Sequence, residues 1–230
     1  MTSIKDILET MTATGQNAIR DFQQVMADAE LSSVPFEHWT IKDVLPVDGC
    51  DALVEWSPGD EHLMGDTGGR RETRNATRVF VDPEVRARDA RLEVMAQALD
   101  SAEARAAITR LCGVSLDNTA LRLELSLDTD GFWLEPHTDI GAKKLTLLVA
   151  LSSSPDADQW GTDLMDATGV SVKRSSGRFN TGTMFVPGTD TWHGFVRRPI
   201  SGVRRGLIIN FVDSSWRAVH ELAFGPATGA

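Results

Sequence analysis

His137 and Asp139 stand two residues apart in "EPHTDIGAKKLTLLVAL" (135–151), at the mouth of a strongly strand-like run, in a chain with only five histidines. On an extended strand such residues point to the same face, about 6.5 Å apart, so both can reach one ion lying between their side chains. A third ligand is offered by His193 in "TDTWHGFVRR", on a later strand-like segment. Two imidazoles and a carboxylate on one face of an octahedron leave three positions open, the arrangement associated with non-haem Fe(II) chemistry on a co-substrate and dioxygen. Zinc more often takes a closed tetrahedral set. These three residues alone fit two accounts equally well: a metal site, or a surface polar pair with a structural histidine elsewhere.

The segment after His193, "HGFVRRPISGVRRGLIINFV", weighs on the choice. Arg204 opens an apolar strand, where an unpaired cation is expensive to bury. A dicarboxylic co-substrate would satisfy it, with one carboxylate on the guanidinium and the other end on the metal. Alternation separates it from its neighbour: Arg204 shares a face with Gly206, Ile208 and Asn210, and Arg205 with Leu207, Ile209 and Phe211. Arg205, Arg197 and Arg198 are the other candidates.

Taken in order, "PHTD", "WHGF" and "RRGLIINF" resemble the Fe(II)/2-oxoglutarate-dependent oxygenases, in particular the prolyl-4-hydroxylase-like branch, over roughly residues 118 to 213. "PFEHWTIKDVLP" is similar to the strand that opens that branch. The resemblance implies that His137, Asp139 and His193 ligate Fe(II) and that Arg204 pairs with 2-oxoglutarate, which is consumed with O2 to give succinate and CO2. Halogenating members lack the carboxylate that Asp139 supplies, so the resemblance implies hydroxylation-type chemistry. Thr146 is a further candidate for 2-oxoglutarate. Arg122, Glu124, Trp133 and Trp160 are candidates for the substrate: alternation in "LRLELS" sends Arg122 and Glu124 away from the leucine face, Trp133 and Glu135 share parity with His137, and "DQWGTDLMD" is similar to a strand near the substrate in the family.

The elements that must carry these residues change texture along the chain. Ile4, Ile7, Leu8 and Met11, then Ile19, Phe22, Val25 and Met26, repeat at helical spacing, predicting amphipathic helices over 3–29. "FEHWTIKDVL" (36–45) reads as a strand and the polar, Gly-rich 57–75 as a long loop, in which His62, Met64, Arg70, Arg71 and Arg74 form a solvated stretch or a lid. Asp82-Pro83 opens a helix through about Leu99, and Ser101 caps another that ends before Gly113. Beyond it come short strand-like runs at 121–127, 131–137, 144–151, 183–188, 192–196 and 205–212, divided by turn signals such as Asp130-Gly131 and Ser176-Gly177.

Helices first and short strands afterwards predict an α+β fold. Its core is a double-stranded β-helix, a cupin-like jelly roll, with N-terminal and central helices packed on one sheet. The expected organisation is one oxygenase domain over 1–230: support in 1–117, the catalytic jelly roll in 118–213 and a C-terminal tail in 214–230. His38 and His220 are assigned to structure or surface.

Composition narrows the function. A net charge of −10 disfavours holding nucleic acid by phosphate neutralisation. Two cysteines, an N-terminus without an apolar leader and no long apolar run predict a cytoplasmic protein that does not engage membranes. The expected substrate is a small polar metabolite, an amino acid or a peptidyl side chain. Two other readings stand beside it: a cupin-like metalloenzyme that does not use 2-oxoglutarate, and a non-catalytic jelly-roll binding module.

Overall fold

The computed structural model describes residues 22–56 and 78–226. The expected helix over 3–21 and the 57–75 loop, with His62 and its arginines, lie outside the described residues. Residues 22–27 are helical, and Phe22 and Met26 from that turn are buried in the main core.

Eleven strands among the described residues form two antiparallel sheets. The larger has the order β1-β2-β9-β6-β11-β4-β3: Glu30–Ser32, His38–Lys42, Thr181–Phe185, Lys143–Ala150, Arg204–Val212, Ala120–Asp128 and Arg78–Phe80. The smaller has the order β5-β10-β7-β8: Leu134–His137, His193–Phe195, Asp163–Met165 and Ser171–Arg174. This is the expected jelly-roll architecture, and its larger sheet takes in three strands from before residue 118.

Strict alternation in β4, β6 and β11 decides which way the larger sheet faces. Leu121, Leu123 and Leu125, with Leu145, Leu147, Val149, Leu207, Ile209 and Phe211, lie on one face and are buried beneath the helices. The helices α1 (Val47–Trp56), α3 (Ala90–Asp100) and α4 (Ala102–Cys112) contribute Leu53, Leu92, Met95 and Ile108 to the same cluster. Each such side chain removed from water stabilises the fold by roughly 1.5–3 kcal/mol. The polar residues of those strands are thereby committed to the inside of the roll.

The helix expected from Asp82 to Leu99 is two helices. Asp82 does cap Pro83–Arg86 (α2), accepting from the Val85 amide at 2.8 Å. The chain leaves that helix after Arg86, and Asp89, with its extended backbone and side-chain bond to the Arg91 amide, starts α3 afresh. An aspartate carboxylate competes with the helix's own carbonyls for such amides, which is why it starts helices better than it continues them. Ser101 ends α3 and caps α4, accepting from the Ala104 amide at 3.1 Å, and Gly113 closes α4 in the left-handed conformation at φ 74°.

Three short strands were not anticipated: β1, β3 and β8 have three or four residues each and end their sheets, whereas β7 falls inside the expected strand of "DQWGTDLMD". Too short to show alternation, they are fixed by their neighbours rather than by their own pattern.

Ser101 is the sole link between α3 and α4, and its hydroxyl also donates to the Ala98 carbonyl. Ser101→Ala is expected to lower stability by about 1 kcal/mol, read as a shift in the urea midpoint with unchanged slope.

Candidate metal centre and its cavity

Three elements deliver the three residues. β5 and β10 pair in antiparallel register with His193 opposite His137, and their ring centroids lie 4.3 Å apart. Asp139 is not on the strand: β5 ends at His137, and the aspartate stands two residues on, in the loop that leads to β6. The loop still brings it back, and one ligand atom from each of His137, Asp139 and His193 lies within 4.8 Å of the others.

The backbone selects the imidazole tautomers. Nδ1 of His137 lies 2.8 Å from the Glu135 carbonyl oxygen, and Nδ1 of His193 lies 2.9 Å from the Thr191 carbonyl oxygen. A carbonyl only accepts, so each Nδ1 carries the proton and each Nε2 keeps its lone pair for a metal. Burial, reinforced by His137, pushes the His193 imidazole down to about 4, so at neutral pH it is uncharged and able to ligate. Phe185 lies against it at 5.0 Å. Burial alone would raise the Asp139 carboxyl, but Lys143, His193 and the Thr146 hydroxyl together outweigh it and hold it below the usual carboxylate range.

Asp139 has a separate partner at each oxygen. Lys143 donates to Oδ1 at 2.6 Å, and the Thr146 hydroxyl donates to Oδ2 at 2.6 Å. Thr146 is thus turned to the carboxylate, a different role from the one expected at a keto acid. Two neutral imidazole nitrogens and a carboxylate form a donor set suited to Fe(II), Mn(II) or Co(II).

A cavity of about 330 Å³ opens over this cluster, lined by Glu135, His137, Asp139, Trp160, His193 and Arg204 among others. Arg204, Arg205, Gly206, Leu207 and Ile208 all border it, and the Leu207 side chain is also buried in the main core. The Arg204 guanidinium is already engaged: Nη1 donates to Asp128, its cross-strand neighbour, Nε to the Trp160 carbonyl at 2.6 Å, and Nη2 to the Thr162 hydroxyl at a long 3.4 Å. The ring of Phe195 lies 4.6 Å from its carbon. Arg198 pairs instead with the buried Asp163.

Two glycines shape the wall beside Arg204. A Cβ on Gly161 would sit 1.7 Å from the Ser175 carbonyl oxygen, and one on Gly177 would sit 1.9 Å from that of Ala157. Only glycine allows so close a crossing.

The substrate candidates divide. Arg122 and Glu124 do face the inside of the roll, but Arg122 is 1% exposed and bound by Glu124, Asn210 and Glu221, so it is structural in its contacts. Trp160 is buried in the cavity wall. Trp133 is not at the cluster. The turn at Asp130-Gly131, with Gly131 at φ 91°, delays β5 to Leu134, and Trp133 lines a separate surface hollow with Pro136 and Met165. His38 is structural: Nδ1 faces the Phe36 carbonyl and Lys173 reaches Nε2 at 3.1 Å. His220 is exposed and rests edge-on to Phe80. Asp128, Lys143 and Asn210, absent from the sequence-derived set, are engaged here. For Asp128 and Asn210 the signal was the parity of "LRLELSLD" and "RRGLIINF", which only a known register converts into contacts, and for Lys143 it was its place four residues after Asp139.

No family model and no curated protein sequence matches the chain. Solved structures do. A Pseudomonas putida prolyl-4-hydroxylase superposes with TM-score 0.51 at 18% identity, covering 86% of this chain and 95% of that one. A Trichoplax adhaerens prolyl hydroxylase, solved in complex with a hypoxia inducible factor oxygen degradation domain peptide fragment, superposes with TM-score 0.55 at 12% identity over 92% and 94%. A viral collagen prolyl hydroxylase from Paramecium Bursaria Chlorella virus-1, in its 2OG complex, gives 0.51 at 14% over 76% and 96%. This chain has the prolyl-hydroxylase fold. Identities this low establish that fold alone. Within it, among the described residues, no helix is long and apolar enough to cross a membrane.

Lys143 places a positive charge on Asp139 Oδ1, at the edge of the three-residue cluster. Lys143→Met is therefore expected to tighten Co(II) binding by up to about tenfold at neutral pH, an exchange worth on the order of 1 kcal/mol, measured by titration calorimetry.

Proposed function

We propose that the protein is an Fe(II)- and 2-oxoglutarate-dependent dioxygenase that hydroxylates a small polar molecule, an amino acid or a peptidyl side chain. The observation that carries this reading is the meeting of one ligand atom from each of two histidines and one aspartate within 4.8 Å, in a cavity that also holds an arginine. His137, Asp139 and His193 would hold the metal. Bound there, Fe(II) would supply dioxygen activation coupled to keto-acid decarboxylation, so that one oxygen atom would enter a substrate C–H bond and the other succinate, with CO2 released.

The chain's own groups then bind and orient. Arg204 is the anchor for the distal carboxylate of 2-oxoglutarate, through the Nη2 edge that now makes a long 3.4 Å contact to Thr162. Asp128 holds the guanidinium in place and offsets its charge. Trp160 and Phe195 wall the cavity and exclude water around the keto acid. A volume near 330 Å³ suits a small molecule or one side chain beside the co-substrate. The peptide bound to the Trichoplax protein supports the side-chain alternative.

One observation favours a second reading, metal-dependent chemistry without a keto acid: Arg204 has a carboxylate partner in Asp128 already. Succinate separates the two. Purified protein with Fe(II), ascorbate and 2-oxoglutarate should release succinate in a screen of amino acids and peptides. Turnover of a substrate with no requirement for 2-oxoglutarate would select the second reading. His137→Ala should abolish metal binding. Arg204→Ala should retain the metal and weaken 2-oxoglutarate by tenfold to a hundredfold, since a charge-assisted contact is lost. Unchanged 2-oxoglutarate affinity in that variant would move the anchor elsewhere, Arg205 being the next candidate.

A further inference from the structure

One row of side chains runs straight across the inner face of the larger sheet. Asn210 on β11 is the register partner of Arg122 on β4 and of Thr146 on β6, and Thr146 is the partner of Phe185 on β9. The row meets the metal cluster twice: Thr146 donates to Asp139, and Phe185 packs on His193. Arg122, Asn210 and Thr146 are each no more than 1% exposed, so water cannot replace a missing partner.

The direction of every hydrogen bond in the row follows from its outer end. Arginine can only donate, and Arg122 Nη1 donates to Asn210 Oδ1 at 3.1 Å. The amide of Asn210 is thereby oriented with its NH2 towards Thr146, to whose oxygen it donates at 2.9 Å. With its oxygen engaged as an acceptor there, Thr146 directs its single proton to Asp139 Oδ2 at 2.6 Å. Arg122 in turn is clamped: Glu221 accepts from its Nε at 2.5 Å, Glu124 accepts from its Nη2 at 2.7 Å, and the rings of Phe80 and Trp216 lie 4.9 and 5.0 Å from its carbon. Arg78 completes the charge balance by pairing with Glu124.

We infer that Arg122, Asn210 and Thr146 are positioning residues for the metal centre. Together they form a one-way relay that engages Asp139 Oδ2 and fixes the orientation of the carboxylate, whose Oδ1 is held by Lys143. The inference rests on the metal-site reading above. It also gives the segment after β11, which carries Trp216 and Glu221, a part in the site.

Asn210→Asp separates positioning from packing. It keeps the shape and the bond from Arg122 but cannot donate to Thr146, so the threonine proton is drawn away from Asp139. Thr146→Val removes the proton at nearly equal volume, and Thr146→Ser keeps it. With Co(II) as the probe, affinity measured by titration and geometry read from the visible d–d bands, Asn210→Asp and Thr146→Val should each bind ten- to a hundredfold more weakly than the parent, with altered bands. Thr146→Ser should stay within about threefold of the parent, as expected when an outer-sphere hydrogen bond is retained. Parental affinity and bands in Thr146→Val and Asn210→Asp, both folded by circular dichroism, would overturn the relay. So would a Thr146→Ser protein as weak as Thr146→Val. A parent chain that takes up no Co(II) would instead refute the metal site itself. Should Asn210→Asp fail to fold, the Thr146 pair alone decides.

Discussion

Everything at the site depends on the alternation of β4, β6 and β11. Because their leucine-rich face is sealed under the helices, every second residue must face the inside of the roll, polar or not. A slip of one residue would bury Arg122, Glu124 and Asn210 among leucines and aim Leu121, Leu123 and Phe211 at the cavity. The hydrophobic core therefore fixes the register of the polar row, and the polar row fixes the carboxylate. Helices that never touch the cluster are part of how it is aimed.

The smaller sheet contributes something different. Its strands are short and its own core is a few residues, Phe132, Trp160, Phe195 and Ile200, with Ala157. What it provides is proximity, since the pairing of β5 with β10 sets two imidazoles side by side at a tilt of 51°, each locked by a carbonyl two residues upstream. One sheet thus supplies rigidity and the other the two nitrogens, with Asp139 in the loop between them.

Much of this was legible in the chain because it depends on local parity and spacing. The His-x-Asp pair, the distant histidine and the inward face of Arg204 all follow from counting residues. What could not be counted was register between distant strands. Asp128 meets Arg204, and Asn210 meets both Arg122 and Thr146, only because β11 lies between β4 and β6 in one alignment. Trp133 failed for a related reason: parity holds only inside a strand, and β5 starts one residue after it. Asp139 lies outside the strand as well, and it reaches the cluster through its loop and the two bonds made by Lys143 and Thr146. The helix break at Asp89 was written in the sequence as a second N-cap, masked by continuous helical spacing around it.

The clamp of Arg122 by Glu221 joins the sheet interior to a stretch of chain beyond the last strand, where Ala223 also donates its amide to the Leu121 carbonyl. During synthesis these residues are among the latest of the described segment to be made, after all three candidate ligands. A nascent chain thus holds its ligands before it can fix the carboxylate among them. On the proposed metal-site reading, tight metal binding would therefore wait for the stretch after β11 to dock on the closed roll.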